Sequence, residues 1–293
     1  MSVKEFKTID EQIELLESRG LKVTDQAAAK DFLCKNNYYR VSGYSLTLRD
    51  HDVFAPNVTF QNIIDIYNFD AAFRNILLEG IEKIEVKMKS IYAYEFSKRY
   101  GALGYTTSTN FTDTDKFTRI ILKANEQKKS RLSHEAFLKH FAEDCDGEIP
   151  MWAYVDLFTI ADISILYQIS QQELKDVVAQ KMGLTTNSGA EILGKFMHGM
   201  TILRNLCAHG SRLYNRLFIT KPSVNRKERQ LLRKDENGTV DNAHLFGYVL
   251  NMKRLLSAED FSKMKKRMVE LARDIAFVSM RYYGFPENWE MVI

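Results

Sequence analysis

Residues 59–100 read TFQNIIDIYNFDAAFRNILLEGIEKIEVKMKSIYAYEFSKRY and contain no proline. Ile63, Ile66, Phe73, Leu77, Ile81, Ile84, Met88 and Ile91 recur at intervals of three, four and seven, the spacing of one apolar helix face. The stretch therefore predicts one very long helix. Asp70 and Arg74 stand four apart in the acid-first order that suits an ion pair, expected at the surface or along a groove.

Outward from this helix the pattern stays helical. Thr8-Ile9-Asp10-Glu11 is a capping-box start, and Thr24-Asp25 opens a second helix running towards Asn36. Residues 101–110 predict a loop. Further helices are expected near 113–130, 133–144 and 151–170, then one from a capping box at Ser170-Gln171-Gln172-Glu173. A helix from about Gly189 to Arg216 follows, and a last one from Ser257-Ala258-Glu259-Asp260 to about Tyr282. Short extended pieces are expected only near 44–49 and 217–220. With 4 Pro in 293 residues the fold class is all-α. The expected division is an N-terminal helical segment, 1–58, containing a Tyr-rich turn, and a helical body, 59–293.

Composition removes several classes of function. Hydrophobic residues at 45% and charged residues at 27% describe a globular chain with a full core. Met1 to Glu14 mixes charged and apolar residues and lacks the apolar run of a signal peptide, and no run approaches the ~20 residues of a membrane span. The expected location is the cytoplasm, with no membrane partner. Cys34, Cys145 and Cys207 are isolated, which argues against a disulfide framework or a zinc site. His134 and His140 are six apart, off the i, i+4 spacing of helical metal ligands. No metal and no cofactor are expected.

The chemistry-bearing string is Arg204-Asn205-Leu206-Cys207-Ala208-His209. An Arg can hold a phosphate, an Asn can orient a substrate, and a His can move protons near neutral pH, so the three form a minimal kit for metal-free RNA cleavage. About one Arg-to-His match of this spacing is expected by chance in a chain with 17 Arg and 6 His, and requiring Asn after the Arg lowers that to roughly one in twenty such chains. At about 100° per residue, Arg204, Asn205 and His209 share one arc, and a continuing helix would add Arg212 and Arg216 to it. Phe196, Met200, Ile202, Leu203, Leu206 and Cys207 fall on the opposite, core-facing side, so Cys207 reads as core rather than nucleophile. The same face also fits a solvated basic helix end with a capping His, and Gly210 can end or bend the helix there.

Charge distribution favours a polyanion partner. From Arg204 to Lys234 nine basic residues, among them Arg212, Arg216, Lys221, Arg226, Lys227, Arg229 and Arg233, meet one acid, Glu228. The segment carries +8 against a whole-chain charge of +3, which leaves the remainder at −5. A disordered basic loop after Pro222 is the plain alternative. A second string, Asn36-Asn37-Tyr38-Tyr39-Arg40-Val41-Ser42-Gly43-Tyr44, offers Tyr38, Tyr39 and Arg40 for stacking bases and contacting phosphate. Its alternative, the favoured one, is a packed turn in which Gly43 takes a positive φ and the tyrosines pin the N-terminal segment onto the body.

Asn37-Tyr38-Tyr39-Arg40-Val41-Ser42-Gly43-Tyr44, then Tyr67-x-Phe69-Asp70-x-x-x-Arg74, then Arg204-Asn205-x-x-x-His209 together resemble the Abi family of AbiD/AbiF-type abortive-infection proteins, over most of the chain and in order. The last string also resembles the active motif of HEPN ribonucleases. The resemblance implies a HEPN-like helical bundle with additional N-terminal and inserted helices. It further implies phage defence through damage to RNA by a toxin-like endoribonuclease, and a homodimer that brings two motifs to one composite site. For AbiF-like members it extends to association with a small structured non-coding RNA. Some HEPN proteins are catalytically silent, so two other readings stay open: a non-catalytic binder of structured RNA, and a protein-binding regulator in a defence or toxin–antitoxin system.

Overall fold

The computed structural model describes residues 5–234, 237–275 and 277–293. Residues 1–4, part of the stretch expected to lack a leader, and residue 276, inside the last predicted helix, lie outside the described residues. Among the described residues the protein is all-α apart from one two-stranded ribbon. The N-terminal segment is α1 (Ile9–Ser18), α2 (Gln26–Asn36) and α3 (Tyr38–Ser42), followed by the antiparallel pair β1 (Arg49–Asp50) and β2 (Val53–Phe54). Then come α4 (Phe60–Tyr100), α5 (Thr114–Arg131), α6 (Ala136–Asp144), α7 (Met151–Tyr154), α8 (Ile160–Gln168) and α9 (Gln172–Lys181). The chain continues with α10 (Gly189–Ala208), α11 (Arg226–Leu231), α12 (Phe246–Leu255), α13 (Ala258–Asp274) and α14 (Trp289–Val292).

The axis of the molecule is α4, which at 41 residues is about 60 Å long. Thr59 caps it through a reciprocal box with Asn62, and Gly101, at φ 81°, ends it. Along its middle the helix is enclosed on more than one side, because α7, α8, α9, α10, α12 and α13 all pack against it. Gly80 permits a close approach of α12 and α13: a methyl group there would lie 2.6 Å from Met252 Cε on α12 and 3.0 Å from Met264 Sδ on α13. The predicted stripe is buried as expected except at Ile91, which is half-buried. One continuous apolar core takes in Ile13, Leu16 and Leu33 of the N-terminal segment together with the body.

Several boundaries differ from those the local pattern predicts. The 151–170 segment is two helices joined by a short 3₁₀ turn, because Thr159 and Asp162 form a new capping box. Ser170 does not cap α9; its hydroxyl turns inward, donates to the Leu166 carbonyl at 2.7 Å and pairs with the Tyr92 hydroxyl at 2.8 Å. Helix α13 stops at Asp274. The 217–220 piece forms no strand and bends at residues 219 and 220, with Phe218 N–H donating to the Ala243 carbonyl at 2.7 Å. Helix α12 was not legible because apolar residues surround it and Leu245 supplies no side-chain cap. No helix among the described residues is long and apolar enough to cross a membrane.

Candidate functional site

Helix α10 buries Leu193, Phe196, Met197, Met200, Leu203 and Cys207, which fixes the rotation that turns Arg204, Asn205, Ala208 and His209 outwards. The helix ends at Ala208, eight residues before the predicted limit at Arg216. The reason is a Schellman motif: Gly210 takes φ 62°, its N–H donates to Cys207 O at 3.0 Å, and Ser211 N–H donates to Leu206 O at 2.8 Å. His209 is thus the C-cap residue, and its own N–H still closes the helix on Asn205 O at 3.0 Å. Among the described residues, no hydrogen bond or ion pair holds the side chain of Arg204, Asn205 or His209. Three groups of different chemistry therefore stand exposed at one helix end, with positions 204, 205 and 209 on a single arc.

Arg212 and Arg216 do not continue that face. The Arg212 guanidinium turns back to donate to the carbonyls of Tyr214 and Asn215, and Arg216 donates to the Arg212 carbonyl at 3.3 Å. Both are half-buried. Arg233 is paired with Asp241 at 2.9 Å. Lys221, Arg226, Lys227 and Arg229 remain exposed, and among the described residues their side chains make no ion pair. Three of them lie on α11, where Asn225 and Glu228 form a capping box, so this stretch is a short helix rather than the loop of the plain alternative.

Beneath the turn lies a buried polar node. Asp70 is 0% exposed and Arg74 6%, so the pair expected at the surface is interior. The Asp70 carboxylate accepts from Tyr44 Oη at 2.9 Å, Tyr283 Oη at 3.0 Å, Tyr214 N–H at 2.9 Å, Leu213 N–H at 3.2 Å and the Arg74 guanidinium. Arg74 reaches the Ser211 carbonyl at 3.5 Å. Burial, with the Asp70 charge beside them, pushes the phenols of Tyr44 and Tyr283 well above their ordinary range, so both stay protonated donors. Burial opposes the charge on Arg74, but Asp70 and Tyr44 together outweigh it and hold Arg74 above its usual value. Burial also pushes the Cys207 thiol up to about 12, which fits core packing and not nucleophilic chemistry.

The Tyr-rich string meets the motif here. Arg40 donates to the Gly210 carbonyl and, through Nε, to Tyr67 Oη at 3.2 Å, with its guanidinium 5.5 Å from the centre of the Tyr67 ring. Tyr38 is half-buried, Tyr44 is interior, and Tyr39 is 88% exposed. Gly43 is helical at φ −63°, correcting the positive φ expected of it; the positive angle falls at Asn37, whose side chain caps α3. Asp70, Arg74, Tyr44 and Tyr283 were not singled out as site residues. One signal was available: Asp70 occupies a position of the apolar stripe between Ile66 and Phe73, where a charged residue must be paired to be buried.

The fold and this helix end define a class: an all-α protein that presents an exposed Arg-Asn…His face over a buried, side-chain-anchored turn. A family model described as Abi-like protein matches residues 31–215, from α2 to the end of the anchored turn. The chain belongs to the Abi-like family, and membership supports a role in abortive-infection defence. The match stops before Lys221, Arg226, Lys227 and Arg229. No curated protein and no solved structure matches the chain. Among the described residues no three His, Cys, Asp or Glu side chains gather as a metal site.

Proposed function

We propose that the protein is a HEPN-type endoribonuclease that cleaves RNA without a metal, acting as the toxic component of abortive-infection defence. The observation that carries this reading is the shared exposure of Arg204, Asn205 and His209 at the end of α10, with no competing partner among the described residues. In the reaction a ribose 2′-oxygen attacks the adjacent phosphorus and the bond to the 5′-oxygen breaks. The 2′-OH proton leaves to a base and the 5′-oxygen gains one, giving a 2′,3′-cyclic phosphate and a 5′-OH end. His209 carries a proton in this exchange, the general acid–base role that an imidazole can fill. Arg204 offsets charge on the phosphoryl oxygens, and Asn205 holds the scissile phosphate in register. One His per chain serves either as base or as acid; a homodimer facing two motifs supplies both.

The test is cleavage of RNA by the purified chain and by Arg204→Ala and His209→Ala. Both positions are exposed, so the variants should keep the thermal stability of the parent while losing cleavage and growth inhibition. Cleavage should survive a chelator. Full toxicity in either variant, or Mg²⁺-dependent cleavage leaving 5′-phosphates, would refute the assignment.

A second reading, a non-catalytic holder of a small structured RNA, is favoured by Lys221, Arg226, Lys227 and Arg229, which stay exposed outside the motif helix. Salt-sensitive RNA binding without cleavage by the wild-type chain identifies it.

A further inference from the structure

We propose that Arg40 is a positioning residue for His209 and not a ligand for RNA; this rests on the ribonuclease reading of the α10 helix end. Arg40 lies 170 positions from Gly210 in sequence, yet its Nη2 donates to the Gly210 carbonyl, one residue past His209. Its Nε is committed to Tyr67 Oη at 3.2 Å, and its guanidinium carbon lies over the Tyr67 ring, 5.5 Å from its centre. A guanidinium held on these sides has little of its fork left for bidentate phosphate recognition.

The backbone it grips needs holding. No polar contact among the described residues fixes the His209 side chain, so the imidazole takes its direction from its backbone. That backbone is the C-cap of a helix whose next residue must be left-handed. Side chains from α3 and α4 restrain the turn in succession: Arg40 at the Gly210 carbonyl, Arg74 at the Ser211 carbonyl, and Asp70 at the N–H groups of Leu213 and Tyr214. Asp70 and Arg74 are interior and belong to the fold. Arg40 is half-buried and touches the turn at its start, closest in sequence to the imidazole. A displacement of about 1 Å at such a group costs on the order of 10²-fold in rate.

The experiment compares full-length wild type, Arg40→Ala and Arg40→Lys in three measurements. These are steady-state cleavage of a single-stranded RNA, the salt dependence of binding the same RNA in a His209→Ala background, and the Cε1–H resonance of His209 by NMR. Thermal midpoints are recorded, and kinetics are run well below them. The expected result for Arg40→Ala is a fall in kcat on the order of 10²-fold with KM and salt slope unchanged, and a shifted or broadened His209 resonance. Arg40→Lys, which keeps one donor and the charge, should recover part of kcat; if Arg40→Ala fails to fold, the same split in Arg40→Lys decides. A raised KM at unchanged kcat, with the salt slope smaller by about 0.7, the share of one single-strand phosphate, would make Arg40 an RNA ligand and overturn the proposal. An unmoved His209 resonance in Arg40→Ala would also overturn it. If wild type cleaves no RNA the ribonuclease reading fails, whereas the resonance still decides whether Arg40 positions His209.

Discussion

Replacing Asp70 by Asn removes one charge and one acceptor from a site with no solvent access. Five donors converge on the carboxylate, and an amide can satisfy them only in part. With the amide oxygen set towards Tyr214 N–H and Tyr283 Oη, the NH₂ group faces the Arg74 guanidinium and Leu213 N–H, donor against donor. Arg74, 6% exposed, then keeps its charge without a counter-ion. Breaking a buried pair by removing one partner costs about 3–5 kcal/mol, a large part of the roughly 5–15 kcal/mol that holds a domain folded. The expected outcome is a loss of that size in urea denaturation and a fall in thermal midpoint of about 5–10 °C. Arg74→Met in the Asp70→Asn background should recover part of the loss, because the stranded cation goes with it. A cost under about 1 kcal/mol for Asp70→Asn, or no recovery in the double variant, would refute the account of the node as a closed ionic cluster.

Two further outcomes are expected. Burial raises the Asp241 carboxyl, but hydrogen bonds from His244 and Arg233 outweigh it and hold the pKa at about 2 against an ordinary 3.8. The folded state therefore gains stability from this group above about pH 4 and loses it as pH falls towards 2; Asp241→Asn should remove about 2 kcal/mol of acid sensitivity from that window, and an acid limb of unchanged steepness would contradict this. Changing Lys221, Arg226, Lys227 and Arg229 together to Gln should flatten the log–log salt dependence of RNA binding by up to about 2.8, at about 0.7 per single-strand phosphate. An unchanged slope would place the RNA elsewhere, with exposed Tyr39 the next residue to replace.

What the sequence made legible was local. The capping box at Thr8 and the caps at Asp25 and Ser257 depend on residues three apart, and each starts a helix as an isolated pattern would. The common face of Arg204, Asn205 and His209 was legible for the same reason. The fate of Arg212 and Arg216 was not, because Gly210 ends the helix in a turn also held by Arg40, Asp70 and Arg74, the nearest of them more than a hundred positions away. The pairing of Asp70 with Arg74 was visible, and the stripe position of Asp70 signalled burial, but its other partners were not legible, since Tyr44 and Tyr283 come from distant parts of the chain. Ser170 shows the limit of a pattern: its residue type suits a cap, but a buried Tyr92 hydroxyl claims it.

The donation from Tyr283 to Asp70 has a consequence for synthesis. The ribosome makes the whole motif helix before it makes Tyr283, so the nascent Asp70 lacks a donor and Phe73 lacks the ring that meets it edge-on at 5.0 Å. Tyr214, on the turn itself, lacks the same neighbour until then. The Arg-Asn…His end therefore reaches its final seating only after the residues around 283 have been made and have docked. A chain whose helix end is assembled in this order keeps that end unfinished for most of the time it remains attached to the RNA-rich machine that is making it.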